Sequence, residues 1–178
     1  DGERKAVSAE EFRQAGYETR PASVATGRWI GGKWKKSSDG ARFDVIDPAT
    51  ERKIADVASA SVDDAKAALD AAQAAFAPWA AKKPRERGEI LRKAYELIIR
   101  DAERLAKLIT IENGKALSDS RGEVAYAAEF FRWYAEEGVR NLGTHGLAPM
   151  AGPRLFVPHQ PARLAPVGAA GNFPGAGA

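Results

Sequence analysis

The residues of this chain best suited to chemistry sit near its end, in Asn172-Phe173-Pro174. This tripeptide closes a stretch that opens at Gln160-Pro161 and reads as the lead-in to a strand. A carboxamide held at the end of a strand is a neutral hydrogen-bond donor that titration cannot remove. Such a donor stabilises an oxyanion developing on a bound carbonyl. Covalent chemistry on that carbonyl would also need a nucleophile and a base, and no obvious pair is present. Asn172 taken in isolation is more often a turn residue than an oxyanion donor, because asparagine before Phe-Pro favours a loop.

The other candidates have structural readings that outweigh their chemical ones. Glu112 and Glu123 have the chemistry of general bases, but both are expected at helix ends, where capping and the helix dipole account for them. His145 and His159, the two histidines, are expected in a loop and a strand at the surface, without metal-ligand spacing around either. Arg132 is expected on a solvated helix face. The four tryptophans, Trp29, Trp34, Trp79 and Trp133, read as core or interface anchors. The glycines between Gly168 and Gly177 lack the G-x-G-x-x-G order, so they make no phosphate loop alone.

Composition narrows the class. The 178 residues can form one domain with a real core. Basic residues number 27 and acidic ones 24, interleaved as in Glu86-Arg87 and Glu103-Arg104, so nucleic-acid binding is not expected. No cysteine occurs, which excludes disulfides, thiolate metal sites and a cysteine nucleophile within these residues. The charged start Asp1-Gly2-Glu3-Arg4-Lys5 is unlike a signal peptide, and no apolar run approaches a membrane span. A soluble, cytoplasmic protein is the expectation.

The elements that must position Asn172 follow from local pattern. Ser8-Ala9-Glu10-Glu11 is a capping box for a short helix ending near Gly16. Trp29-Ile30 and Trp34 flank Gly31-Gly32 as a hairpin. Asp39-Gly40 marks a turn, Phe43 to Ile46 a strand ending at Asp47-Pro48, and Ile54 to Val57 a third extended segment. Ser61-Val62-Asp63-Asp64 caps a helix with Val62, Ala65, Leu69, Ala72 and Phe76 on one face, stopped by Pro78. Pro84 opens the next helix, with Ile90, Leu91, Ala94, Leu97 and Ile98 as its buried stripe. A third helix spans about Ala102 to Glu112, with Leu105, Leu108 and Ile109 inward, and closes at Asn113-Gly114. Ser120-Arg121-Gly122-Glu123 reads as a box starting the longest helix, with Val124, Ala127, Ala128, Phe131, Tyr134 and Ala135 inward and Gly138 or Gly143 at its end. Gly146, Pro149, Gly152 and Pro153 mark a loop before a strand at Leu155-Phe156-Val157.

Six ordered motifs carry a family resemblance. They are Trp29-Ile30-Gly31-Gly32-Lys33-Trp34, Val45-Ile46-Asp47-Pro48-Ala49-Thr50, Glu112-Asn113-Gly114-Lys115, Gly122-Glu123-Val124, Gln160-Pro161 and Asn172-Phe173-Pro174. Together they resemble the N-terminal part of the NAD(P)-dependent aldehyde dehydrogenase superfamily. Phe130-Phe131-Arg132-Trp133-Tyr134-Ala135-Glu136-Glu137 points within it to the succinate-semialdehyde dehydrogenases. The implied fold class is α/β, with hairpins and helices leading into a Rossmann-like sheet and a β-arm for oligomerisation. Residues 1–27 would be an N-terminal extension with a short helix and 28–145 the first half of the cofactor-binding domain. Residues 146–164 would be a segment of the arm, and 165–178 the first sheet strand with the asparagine turn.

The resemblance further implies a downstream cysteine nucleophile, a downstream glutamate base, NAD or NADP as hydride acceptor, and a homodimer or homotetramer. Asn172 would be the catalytic oxyanion donor and Phe173 would line the aldehyde tunnel. Ala170, Gly171 and Asn172 would meet the cofactor. The chain departs from the family at Ala169-Ala170-Gly171, where Thr-Pro-Trp is usual, at Arg163 in the Pro-Val-Gly run, and at Gly175-Ala176-Gly177-Ala178. The eroded Ala169-Ala170-Gly171 stretch favours a rival reading from another class, a non-catalytic helical module for interaction or oligomerisation.

Overall fold

The computed structural model describes residues 24–162 and 164, which form six strands in three hairpins and four helices. The expected helix at Ser8 to Gly16, the expected strand over 165–174 and the asparagine turn lie outside the described residues. Every sheet among the described residues is a two-stranded antiparallel ribbon.

The first ribbon joins β1 (Arg28–Ile30) to β2 (Lys33–Lys35). Gly31 and Gly32 have φ of 61° and 77°, and two successive left-handed residues form the tight turn whose twist matches that of the strands. Trp29 and Trp34 face each other across it edge-to-face, 5.2 Å between ring centres. Both remain more than half exposed, so they clasp one another without anchoring a core here. Trp79 and Trp133 are exposed too.

The second ribbon pairs β3 (Arg42–Ile46) with β4 (Lys53–Ala58), with an irregularity between Val45 and Ile46. Asp47 organises its turn by accepting from the Ala49 N–H and the Thr50 hydroxyl, each at 2.8 Å. This is the side-chain turn chemistry expected of Asp before Pro.

Helix α1 (Val62–Ala80) starts at the Ser61 cap and passes through Pro78, two residues beyond the expected stop. Proline removes one backbone bond, and the ladder resumes when the Ala81 N–H reaches the Ala77 carbonyl at 3.0 Å. Helix α2 (Pro84–Arg100) opens on its proline as expected. Its inward stripe is rotated from the expected one: Gly88 is buried while Ile90 and Leu97 are exposed. The cause is close approach. A Cβ at Gly88 would stand 2.4 Å from the Ala135 carbonyl oxygen, so only a residue with no side chain admits the neighbouring helix.

Helix α3 (Ala102–Asn113) ends on Gly114 at φ 75°, the left-handed cap expected there. Leu105, Leu108 and Ile109 are half-buried, while Ala106, Thr110 and Ile111 are fully covered. Helix α4 (Leu117–Arg140) begins three residues before Ser120, so the expected start there is corrected: Ser120 and Glu123 lie inside the helix and are buried. It ends at Arg140, between the two glycines proposed as stops. Val124, Ala127, Ala128 and Ala135 form its covered face, whereas Tyr134 points outward. Alanines let α2 and α3 lie close against α4, so many short contacts replace a few bulky ones. The third ribbon pairs β5 (Thr144–Leu147) with β6 (Arg154–Val157). Only β6 was expected, because Gly146 masked the short β5. All eight of its strand residues are exposed.

Gly88→Ala is therefore expected to destabilise the fold by about 1–3 kcal/mol through overpacking. Gly122→Ala, on the same helical layer but with open space around it, is expected to stabilise by about 0.5–1 kcal/mol. Urea unfolding of the two variants checks both signs.

Candidate functional site

Asn172, Phe173, Ala170 and Gly171 all lie outside the described residues, so the structure describes the approach to them. Ala162 and Leu164 line a groove of about 470 Å³ with Leu69, Gln73 and Phe76 of α1. The apolar stripe of α1 thus meets the segment running toward Asn172. Val62 and Leu69 on that stripe stay largely exposed, and Phe76 is half-buried.

The N-terminus of α1 is held by a buried polar cluster. Ser61 and Asp64 form a capping box, the Asp64 N–H donating to Ser61 Oγ at 3.1 Å and the Ser61 N–H to Asp64 Oδ2 at 2.9 Å. The sequence pattern showed the acidic first turn but not its partners from the first ribbon and the loop after it. The Arg28 guanidinium stands 2.8 Å from Asp64 Oδ1, the Ser38 N–H donates to Oδ2 at 3.3 Å, and the Ser37 hydroxyl reaches it at 3.2 Å. Burial pushes the Asp64 carboxyl up. The Ser61 and Ser38 N–H donors, the Ser61 hydroxyl and Arg28 together outweigh that, holding it well below the usual carboxylate range.

This cluster also decides what α1 can bind. A helix following a strand offers free N–H groups to a phosphate. Here Ser59-Ala60-Ser61 is the connection from β4 into α1, it contains no glycine, and the protein's own Asp64 occupies the helix end. The dinucleotide phosphates do not fit at this helix end.

A second cluster fastens the turn between α3 and α4. The Lys115 ammonium lies 2.6 Å from Glu123 Oε2, with the glutamate side chain fully buried and the lysine half-buried. One turn away the Thr110 and Ser120 hydroxyls share a hydrogen bond of 2.8 Å. Glu123 Oε1 finds no hydrogen-bond partner among the described residues. Glu123 is thus structural, as the sequence suggested, but as half of a buried ion pair and not as a cap. A carboxylate sealed beneath its counter-charge cannot reach a substrate proton. Gly114, between these helices, has a second constraint besides its φ: a Cβ there would lie 2.8 Å from Pro48 of the β3–β4 turn. Two of the motifs, around Pro48 and Gly114, are therefore in contact with each other.

The remaining candidates are peripheral. His145 and His159 are exposed, His145 tilted against Phe156 at 6.2 Å. Arg132 pairs with Glu129 at 2.5 Å on the solvated side of α4. Among the described residues no three His, Cys, Asp or Glu side chains could hold a metal ion, and no helix is long and apolar enough to cross a membrane.

Residues 34–175 match the model of the aldehyde dehydrogenase family. The NADP(+)-dependent succinate-semialdehyde dehydrogenase 1 of Schizosaccharomyces pombe is 38% identical over 148 residues, covering 83% of this chain and 30% of that protein. The crystal structure of succinate-semialdehyde dehydrogenase from Burkholderia pseudomallei superposes with a TM-score of 0.72 at 39% identity, over 76% of this chain and 28% of that one. Betaine aldehyde dehydrogenase of Staphylococcus aureus in complex with NAD+ gives a TM-score of 0.73 at 25% identity, over 79% and 28%. The chain spans about 30% of the length of the first curated relative it matches.

Two outcomes test the clusters. Lys115→Met is expected to cost roughly 3–5 kcal/mol, because it leaves the buried Glu123 carboxylate without this counter-charge, while the paired apolar replacement Lys115→Met with Glu123→Leu recovers much of the loss. Chemical denaturation of the single and double variants reads this. For Asp64 the folded pKa is depressed, so its contribution is fully present above its ordinary value of 3.8 and is lost as pH falls below it. Asp64→Asn is expected to flatten the acid limb of the stability–pH profile, measured as midpoint against pH.

Proposed function

Because this chain belongs to the aldehyde dehydrogenase family, we propose that the whole protein oxidises an aldehyde, succinate semialdehyde or a near relative, to its carboxylate with NAD(P)+. The observation that carries this reading is the 38% identity to a succinate-semialdehyde dehydrogenase over 83% of the chain. The relative's name includes NADP(+), and a solved neighbour holds NAD+, so either dinucleotide suits the reading. Bound beside the aldehyde carbon, the nicotinamide would accept the hydride.

The part assigned to this chain is electrostatic. The family match runs to residue 175 and so includes Asn172 and Phe173. The Asn172 carboxamide donates to the aldehyde oxygen as negative charge develops on it under attack by a cysteine beyond this segment. Phe173 bounds the aldehyde tunnel. Ala170, Gly171 and Asn172 pass beside the cofactor, with backbone in place of the bulky side chains usual there. Ala162 and Leu164 of the lead-in segment line the groove beside α1. A preorganised donor is worth more than a mobile one because it does not reorganise as the charge appears.

The β5–β6 ribbon, exposed on both faces, suits a role as part of an oligomerisation arm reaching a second subunit in a homodimer or homotetramer. A cytoplasmic location belongs to this reading, while relatives of the same name are also found as mitochondrial enzymes. The rival reading, a non-catalytic module, draws on the eroded Ala169-Ala170-Gly171 stretch. Intact mass of the parent protein separates the two, since an ordinary aldehyde dehydrogenase length supports the enzyme.

Asn172→Ala in the full-length enzyme is expected to slow acylation by roughly 10²–10³ with little change in cofactor affinity. Single-turnover kinetics measure the step, and an unaltered rate overturns the assignment. The 178-residue chain by itself, which lacks cysteine, is expected to give no NAD(P)+ reduction with aldehyde.

A further inference from the structure

We draw no further inference here: the strongest candidate, the aromatic stripe of Tyr126, Phe130, Trp133 and Tyr134 along the outer side of α4, is an exposed apolar face, and nothing in the structure shows what covers it.

Discussion

The distance between α2 and α4 is set by an atom that is missing. At Gly88 the backbone of one helix lies against the Ala135 carbonyl of the other, closer than any side chain permits. That contact fixes how α2 rotates about its axis, and hence which residues it buries. It draws the alanine face of α4 into reach, and α3 packs beside it on the same helix. Large side chains would separate these helices and lose the many weak dispersion contacts on which a small-residue core depends.

Around this layer, two buried charged pairs act as fasteners. Arg28 with Asp64 joins the first ribbon to the start of α1, and Lys115 with Glu123 closes the turn between α3 and α4. Neither is placed where a substrate could use it. Buried pairs of this kind contribute little net stability but penalise the loss of either member heavily. The exposed pairs, such as Glu103 with Arg121, bridge α3 and α4 at the surface and contribute less than about 1 kcal/mol each.

Much of the scaffold was readable from residue order because its signals are local. The Gly31-Gly32 turn, the Ser61 cap, Pro84 at a helix start and Gly114 at a helix end each rest on backbone conformation that neighbouring residues dictate. What escaped was set at long range. The burial of Gly88 depends on Ala135, and that of Glu123 on Lys115 and the surrounding helices, so a capping motif was read where a helix interior stands. Strand β5 escaped because four residues with a central glycine carry almost no periodicity. The stop at Pro78 failed because losing one ladder bond near a helix end is tolerated. For Asn172 the legible part was the ordered set of motifs; its surroundings lie beyond the described residues.

The β5–β6 ribbon has a consequence for how the molecule holds together. Two strands with water on both sides are barely stable on their own, so the order of this ribbon is borrowed from whatever surface it lies against. Such a ribbon opens locally before the packed helical layer does, so its amide protons exchange ahead of those in the helices.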